Sequence, residues 1–179
     1  MIETGDEERG GAALQDAWPH GTCYGCGPAN ERGLRIKSYW SSDGTEVECL
    51  FQPRAEHNAG FPNVAYGGLV ASLVDCHSIW TAIATTYREE GREHGSLPAI
   101  SYVTGNLNVS FLKPTPVDKP IVLRARVTDL QARKATVECA VYSGDVKTAE
   151  GKVLAVRFSL DKSLGAGDKT EPPREHQVS

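Results

Sequence analysis

Between Gly67 and Tyr87 the chain reads GGLVASLVDCHSIWTAIATTY, and Asp75 carries the only formal charge in that stretch. A carboxylate on an otherwise apolar segment either finds a hydrogen-bond donor or solvent at the segment's border, or it does chemistry as a general base or nucleophile. Ahead of it stand Tyr66, Gly67 and Gly68. At a helix start the N–H groups lack intrahelical acceptors, and glycine lets a ligand oxygen approach them. The pair is therefore either an oxyanion site or the mark of a tight turn or close helix–sheet contact. Asp75 follows Gly67 by about 12 Å along a helix axis, too far for both to serve one reacting carbon easily within one chain. A second protomer resolves that distance.

Other groups with reactive side chains have structural readings beside the chemical ones. His77 lies two residues past Asp75, on a different helix face, and reads as a structural or border residue. His57 stands nine residues before Tyr66 in a loop. Cys23 and Cys26 form CYGCG, which looks like half of a zinc ribbon, but a structural zinc needs four ligands and only His20 and His57 are nearby candidates. The reading is a glycine-rich turn with no metal. Cys49, Cys76 and Cys139 fall within strand or helix patterns and read as packing residues.

These groups must be held by regular elements. Leu69, Leu73, Cys76, Trp80, Ile83 and Tyr87 recur at steps of four and three, which predicts one helix with a buried stripe. Asp75 lies at the margin of that stripe, in a row with Gly68, Ser72, Ile79 and Ala82. Strands are predicted over 33–40 and 44–52 before the helix, where Val47, Cys49 and Phe51 alternate with polar residues. After it come 99–114, 120–130, 134–143 and 151–160, expected as a four-stranded antiparallel meander. On the first of its last three strands Ile121, Leu123, Ala125 and Val127 form one face; on the final strand Leu154, Val156, Phe158 and Leu160 are expected to share one. One sheet wrapped around one apolar helix, an α+β fold, gives each buried face a partner. Residues 1–20 and 162–179 are polar, rich in glycine or proline and aperiodic, and are expected to be disordered tails around a single domain over 21–161.

Composition narrows the function. A chain of 179 residues with net charge −4 has no basic face for nucleic acid. The acidic start MIETGDEERGG lacks the basic and apolar regions of a secretory signal, so a cytoplasmic location with free thiols is expected. The 67–87 segment is long enough to raise the question of a membrane span, but Asp75, His77 and its hydroxyl side chains make a buried core helix the better account.

Three stretches carry a family resemblance. YGGLVASLVD resembles the helix-start motif of hotdog-fold acyl-CoA thioesterases of the phenylacetate-pathway type, usually His-Gly-Gly with an Asp at the spacing of Asp75. VTGNLNVSFLKPTP resembles that family's central strand, and CYGCGPANERGLRI a Cys-rich, Gly-Leu stretch of many members. The resemblance covers about residues 22–160. It implies paired protomers, as a homodimer or a dimer of dimers, with each site built across the interface. Gly67 would offer its N–H to the thioester carbonyl, and Asp75 of the other chain would activate water or attack directly. Thr104 would hold that water. Asn58 corresponds to a carbonyl-binding Asn after a two-residue insertion, and Tyr66, Gly68 and Asn106 join it as substrate contacts. Ile79, Trp80 and the strand around Leu107 border an acyl pocket or are ordinary core.

The implied activity is hydrolysis of an acyl-CoA or related acyl thioester without cofactor or metal. Tyr66 departs from the motif, since the family usually has His there; His57 could fold back to replace the imidazole. That departure leaves a noncatalytic acyl-thioester binding protein as one alternative. A hotdog enoyl-thioester hydratase or dehydratase is the other.

Overall fold

The computed structural model describes residues 11–158. Its strands are β1 (Tyr39–Trp40), β2 (Val47–Phe51), β3 (Ser101–Phe111), β4 (Ile121–Gln131), β5 (Lys134–Ser143) and β6 (Val146–Phe158), with helix α1 (Gly67–Glu89) between β2 and β3. They form one six-stranded antiparallel sheet in the order β1-β2-β4-β5-β6-β3. The sheet wraps the helix, which is the hotdog arrangement.

Helix α1 follows the predicted stripe: Leu69, Leu73, Cys76, Trp80, Ile83 and Tyr87 are all buried. By length and composition alone it could cross a membrane. Here it packs against β3, β4, β5 and β6 as the core helix. Asp75, Ser72 and Ile79 are half-buried along its border, as the periodicity indicated. Sheet residues Val47, Cys49, Ile121, Leu123, Val137 and Val141 supply the facing half of the core.

Three expectations are corrected. The last four strands are not a meander: β4, β5 and β6 are, but β3 lies beyond β6 and the chain must cross to reach β4. The connection after Phe111 contains Pro114, Pro116 and Pro120, and is too long and too proline-rich for a hairpin. The final strand also has the opposite parity from that expected. Ala149, Gly151, Val153 and Ala155 face the core, while Leu154, Val156 and Phe158 are only half-buried. The helix approaches so closely that a Cβ on Gly151 would stand 2.3 Å from Val74 Cγ1, so small residues hold the inner face and larger ones the outer. Finally, residues 33–38 are not strand, and pairing begins only at Tyr39.

The N-terminal segment departs from the expected tail as well. Leu14–Ala17 is a short 3-10 turn, with Ala13, Leu14 and Gln15 buried. Gln15 Nε2 donates to Ser38 Oγ at 2.9 Å, and Ser38 N–H donates to Gln15 Oε1 at 2.8 Å. Two apolar side chains and a two-way amide contact dock what composition alone marked as loose. The part of the expected N-terminal tail at 1–10, the expected C-terminal tail at 162–179 and the domain's last residues 159–161, with Leu160, lie outside the described residues.

Candidate active site

The carboxylate of Asp75 projects from the middle of α1 toward β3, where Thr104 Oγ1 donates a hydrogen bond to Asp75 Oδ1. A β-bulge at Gly105 interrupts the β3–β6 register between Thr104 and Asn106. A Cβ at Gly105 would stand 2.7 Å from Val156 Cγ2, so glycine is what permits the bulge at that place. The bulge changes the alternation of side chains just beyond Thr104.

Asp75 and Thr104 border a cavity of about 370 Å³ whose other walls include Trp18, Cys23, Ile79, Trp80 and Ile83. A carboxylate and a hydroxyl at the rim of an otherwise apolar cleft form an arrangement suited to an apolar chain with a polar reacting end. Beyond Trp18, Trp80 and Ile83 lies a smaller space of about 180 Å³ next to His94 and Leu97. Ser101, in the wall beside Thr104, has a buried hydroxyl without a hydrogen-bond partner among the described residues. A larger concavity, about 530 Å³, is elsewhere, on the open face of the sheet. Of its charged groups, Arg124 pairs with Glu48 and Lys147 with Glu150.

Tyr66, Gly67 and Gly68 begin α1 at the other end of the molecule's reactive surface. Leu69 and Val70 N–H donate to Tyr66 O, while no carbonyl of the described residues accepts from Gly67 or Gly68 N–H. Gly67 opens on a separate cavity of about 420 Å³, lined by Val64, Ala65, Val70, Phe111 and Lys113. The Phe111 ring lies close to Gly67, and the Tyr66 ring leans over Gly68, where a Cβ would come 2.7 Å from Tyr66 Cε2. Within one chain, Gly67 and Asp75 thus face different cavities, as the axial distance required.

The remaining predicted residues divide. Asn106 is exposed on β3 beyond the bulge. Asn58 Nδ2 donates to Ala55 O at 2.8 Å, closing its own turn, and Asn58 bridges to Ala65 just ahead of the glycines. His57 lies beside Tyr66, whose N–H donates to His57 O at 3.0 Å. It is buried, its Nδ1 accepts from Arg54 N–H at 3.0 Å, and its ring packs near Phe51. Burial depresses its pKa. His77 is a core residue rather than a border one: Nε2–H donates to Val47 O at 3.0 Å and Nδ1 accepts from Ser38 Oγ at 2.9 Å. Complete burial, only partly opposed by the Val47 contact, pushes its pKa down to about 4. Ile79 and Trp80 line the cavity with Asp75, whereas Leu107 does not.

Sequence reading missed the rest of the cavity wall. Trp18 lay in a segment taken for a tail; the apolar group Ala13, Leu14 and Trp18 was the available signal. It also assigned Cys76 to packing alone. Cys76 is buried on the stripe, but its sulfur meets those of Cys23 and Cys26. The Cys23 thiol is lowered to about 5, first by the hydrogen bond from Cys76 and, against the cost of desolvation, by backbone contacts from Cys26 and Gly25. Cys76 is raised, chiefly by the same contact, because it supplies the proton.

A sheet rolled around one long helix defines a hotdog protein. The sequence matches the family model of the thioesterase superfamily over residues 62–150. A thioesterase superfamily protein from Shewanella loihica PV-4 is 33% identical, with 81% of this chain and 99% of that one covered and a TM-score of 0.60. This chain belongs to the thioesterase superfamily. It is 26% identical over 129 residues to the acyl-coenzyme A thioesterase THEM4 of Rattus norvegicus, a match covering 72% of this chain and 50% of that protein. The chain thus spans about half the length of that relative. The PaaI protein from the phenylacetic acid degradation operon of E. coli shares the fold, with 15% identity, 70% of this chain and 81% of that one covered, and a TM-score of 0.57.

Proposed function

We propose that this chain hydrolyses an acyl-CoA or related acyl thioester to a carboxylic acid and a free thiol, with Asp75 as general base. The observation that carries the reading is the hydrogen bond from Thr104 to Asp75 at the rim of the apolar cavity. Thr104 occupies Oδ1 and leaves Oδ2 to accept from a water, while the hydroxyl oxygen offers that water a second partner. Asp75 takes a proton as the water oxygen bonds to the thioester carbonyl carbon. The carbonyl oxygen becomes an oxyanion; collapse of the tetrahedral species breaks the C–S bond, and the departing sulfur takes up the proton.

The oxyanion needs donors, and Gly67 N–H is free to serve but faces another cavity of the same chain. We assign that donor to a second copy. Strand β3 supports this arrangement: it is an edge of the sheet, eleven residues long, with Val103, Leu107 and Phe111 exposed along it. A long edge with apolar side chains is completed by pairing with an equal edge, which makes one continuous sheet and brings α1 of each protomer toward the other. Tyr66 lies at the start of α1, and Asn58 stands on the bridge to Ala65, where each can meet the substrate's polar end. Asn106, beyond the bulge, joins that surface.

The test is thiol release from short, medium, long and aromatic acyl-CoAs, with Asp75→Asn as the control. Release by the parent protein and its loss in the variant support the assignment. In single-turnover hydrolysis in ¹⁸O-water, label enters the product acid without entering Asp75; label in the Asp75 carboxylate would make it the nucleophile. Saturable binding of the acyl-CoAs without thiol release would identify a binding protein instead.

A further inference from the structure

Residues 21–28 and the middle of α1 meet at three sulfurs. The Sγ atoms of Cys23, Cys26 and Cys76 all lie within 4.8 Å of one another, and those of Cys23 and Cys76 are 3.8 Å apart. Thiolates around a tetrahedral zinc stand roughly 3.8 Å from each other, because each Zn–S bond is about 2.3 Å. One edge of the triangle already has that length, and the other two need shifts of about 1 Å at most.

The surroundings are arranged for anionic sulfur rather than for plain apolar packing. The Trp80 indole Nε1–H donates to Cys26 Sγ at 3.2 Å. Such an outer donor spreads the negative charge that thiolate ligands concentrate around a metal. The glycines of CYGCG are required by the same geometry. A Cβ on Gly25 would stand 2.3 Å from Cys76 Sγ, and one on Gly27 would stand 2.5 Å from Cys23 N. The turn is therefore shaped to admit the helix sulfur between its own two.

We propose that Cys23, Cys26 and Cys76 form a three-thiolate site for a thiophilic d10 dication, zinc, with the fourth coordination position taken by an exogenous ligand such as water. Among the described residues no His, Asp or Glu joins the three sulfurs. Each thiol that ionises on binding releases its proton to solvent, and three thiolates with one dication leave a single negative charge for the Trp80 N–H to offset. All three cysteines border the cavity that Asp75 and Thr104 rim. The ion would staple residues 21–28 to α1 and so hold one wall of that cavity. This inference rests on the cluster itself and stands apart from the hydrolytic reading.

The experiment uses the full chain, purified in reductant, stripped by a chelator and reloaded separately with zinc and with cobalt. One zinc per chain is expected to survive gel filtration and to raise the melting temperature. The cobalt form is expected to show thiolate-to-metal charge transfer in the near ultraviolet together with the visible bands of a four-coordinate ion. Cys76→Ser should weaken zinc at least about a hundredfold and abolish the cobalt signature, whereas Cys139→Ala, outside the cluster, should leave both. Should Cys76→Ser fail to fold, Cys23→Ser at an exposed position carries the same comparison. Zinc retention indifferent to both serine variants, absence of the charge-transfer band, or a Cys23–Cys76 disulfide forming under mild oxidant with no stoichiometric metal uptake would each overturn the site.

Discussion

Asp75 is the residue on which the reading turns, because it unites an unusual position on an apolar helix with a specific partner on β3. Asp75→Asn keeps the size and removes the basic oxygen. It is expected to lower turnover at least about a hundredfold, the scale of a positioned base, with folding and acyl-CoA affinity retained. Thr104→Ala should act in the same direction more weakly. If the two groups position one water, the double variant costs less than the product of the single effects, which kcat measurements on all four proteins will show. Tyr66 stands at the motif position for which the resemblance implies His, and its ring rests over Gly68. Tyr66→Phe should reduce kcat/KM only several-fold, about 1 kcal/mol, and Tyr66→His should be tolerated. Complete loss in a folded Tyr66→Phe protein would make the phenol a primary catalytic group.

At the scale of elements, the buried chain Gln15–Ser38–His77–Val47 ties the N-terminal turn, helix α1 and strand β2 together. Val47 O only accepts, so His77 carries a proton on Nε2, and complete burial rather than these contacts holds the ring neutral. Its pKa falls from an ordinary 6.5 to about 4 on folding. Between those values the unfolded chain binds the proton and the folded chain does not, so stability declines as pH falls through 6.5, with the loss complete below 4. The loss attributable to this one group is roughly 3 kcal/mol. Urea melts from pH 7 to pH 4 should show it, and His77→Gln, less stable at pH 7, should lack that increment of pH dependence. Equal slopes in the two proteins would mean that the imidazole protonates inside the fold.

For the whole molecule, the two halves of the proposed chemistry are separated. Asp75 and Thr104 face one cavity and Gly67 faces another. A monomer would hold a base without its oxyanion donor. Sedimentation at micromolar concentration should therefore give a dimer, or a dimer of dimers, and charged substitutions on the β3 edge, such as Leu107→Glu, should dissociate it and abolish thiol release together. A fully active monomer would refute the shared site.

Much of this was legible in the chain itself, for reasons that are local. Helix α1 follows from a 3.6-residue period, and β2, β4 and β5 follow from a two-residue alternation, because each element buries one face and its sequence records that face. The position of Asp75 on the helix border came from the same arithmetic. What sequence could not show depends on contacts between elements distant in the chain. The parity of β6 was misread because close approach of Val74 at Gly151 reverses which residues are large, and size is then a poor guide to the buried face. The place of β3 beyond β6 was set by a crossing connection rather than by order along the chain. Cys76 lies 53 residues from Cys23, so no spacing motif could join them; only the packing of α1 against the CYGCG turn does. The same holds for Thr104 and Asp75: resemblance could suggest both residues, but the bond between them exists because the sheet curls around the helix and lays β3 along its border.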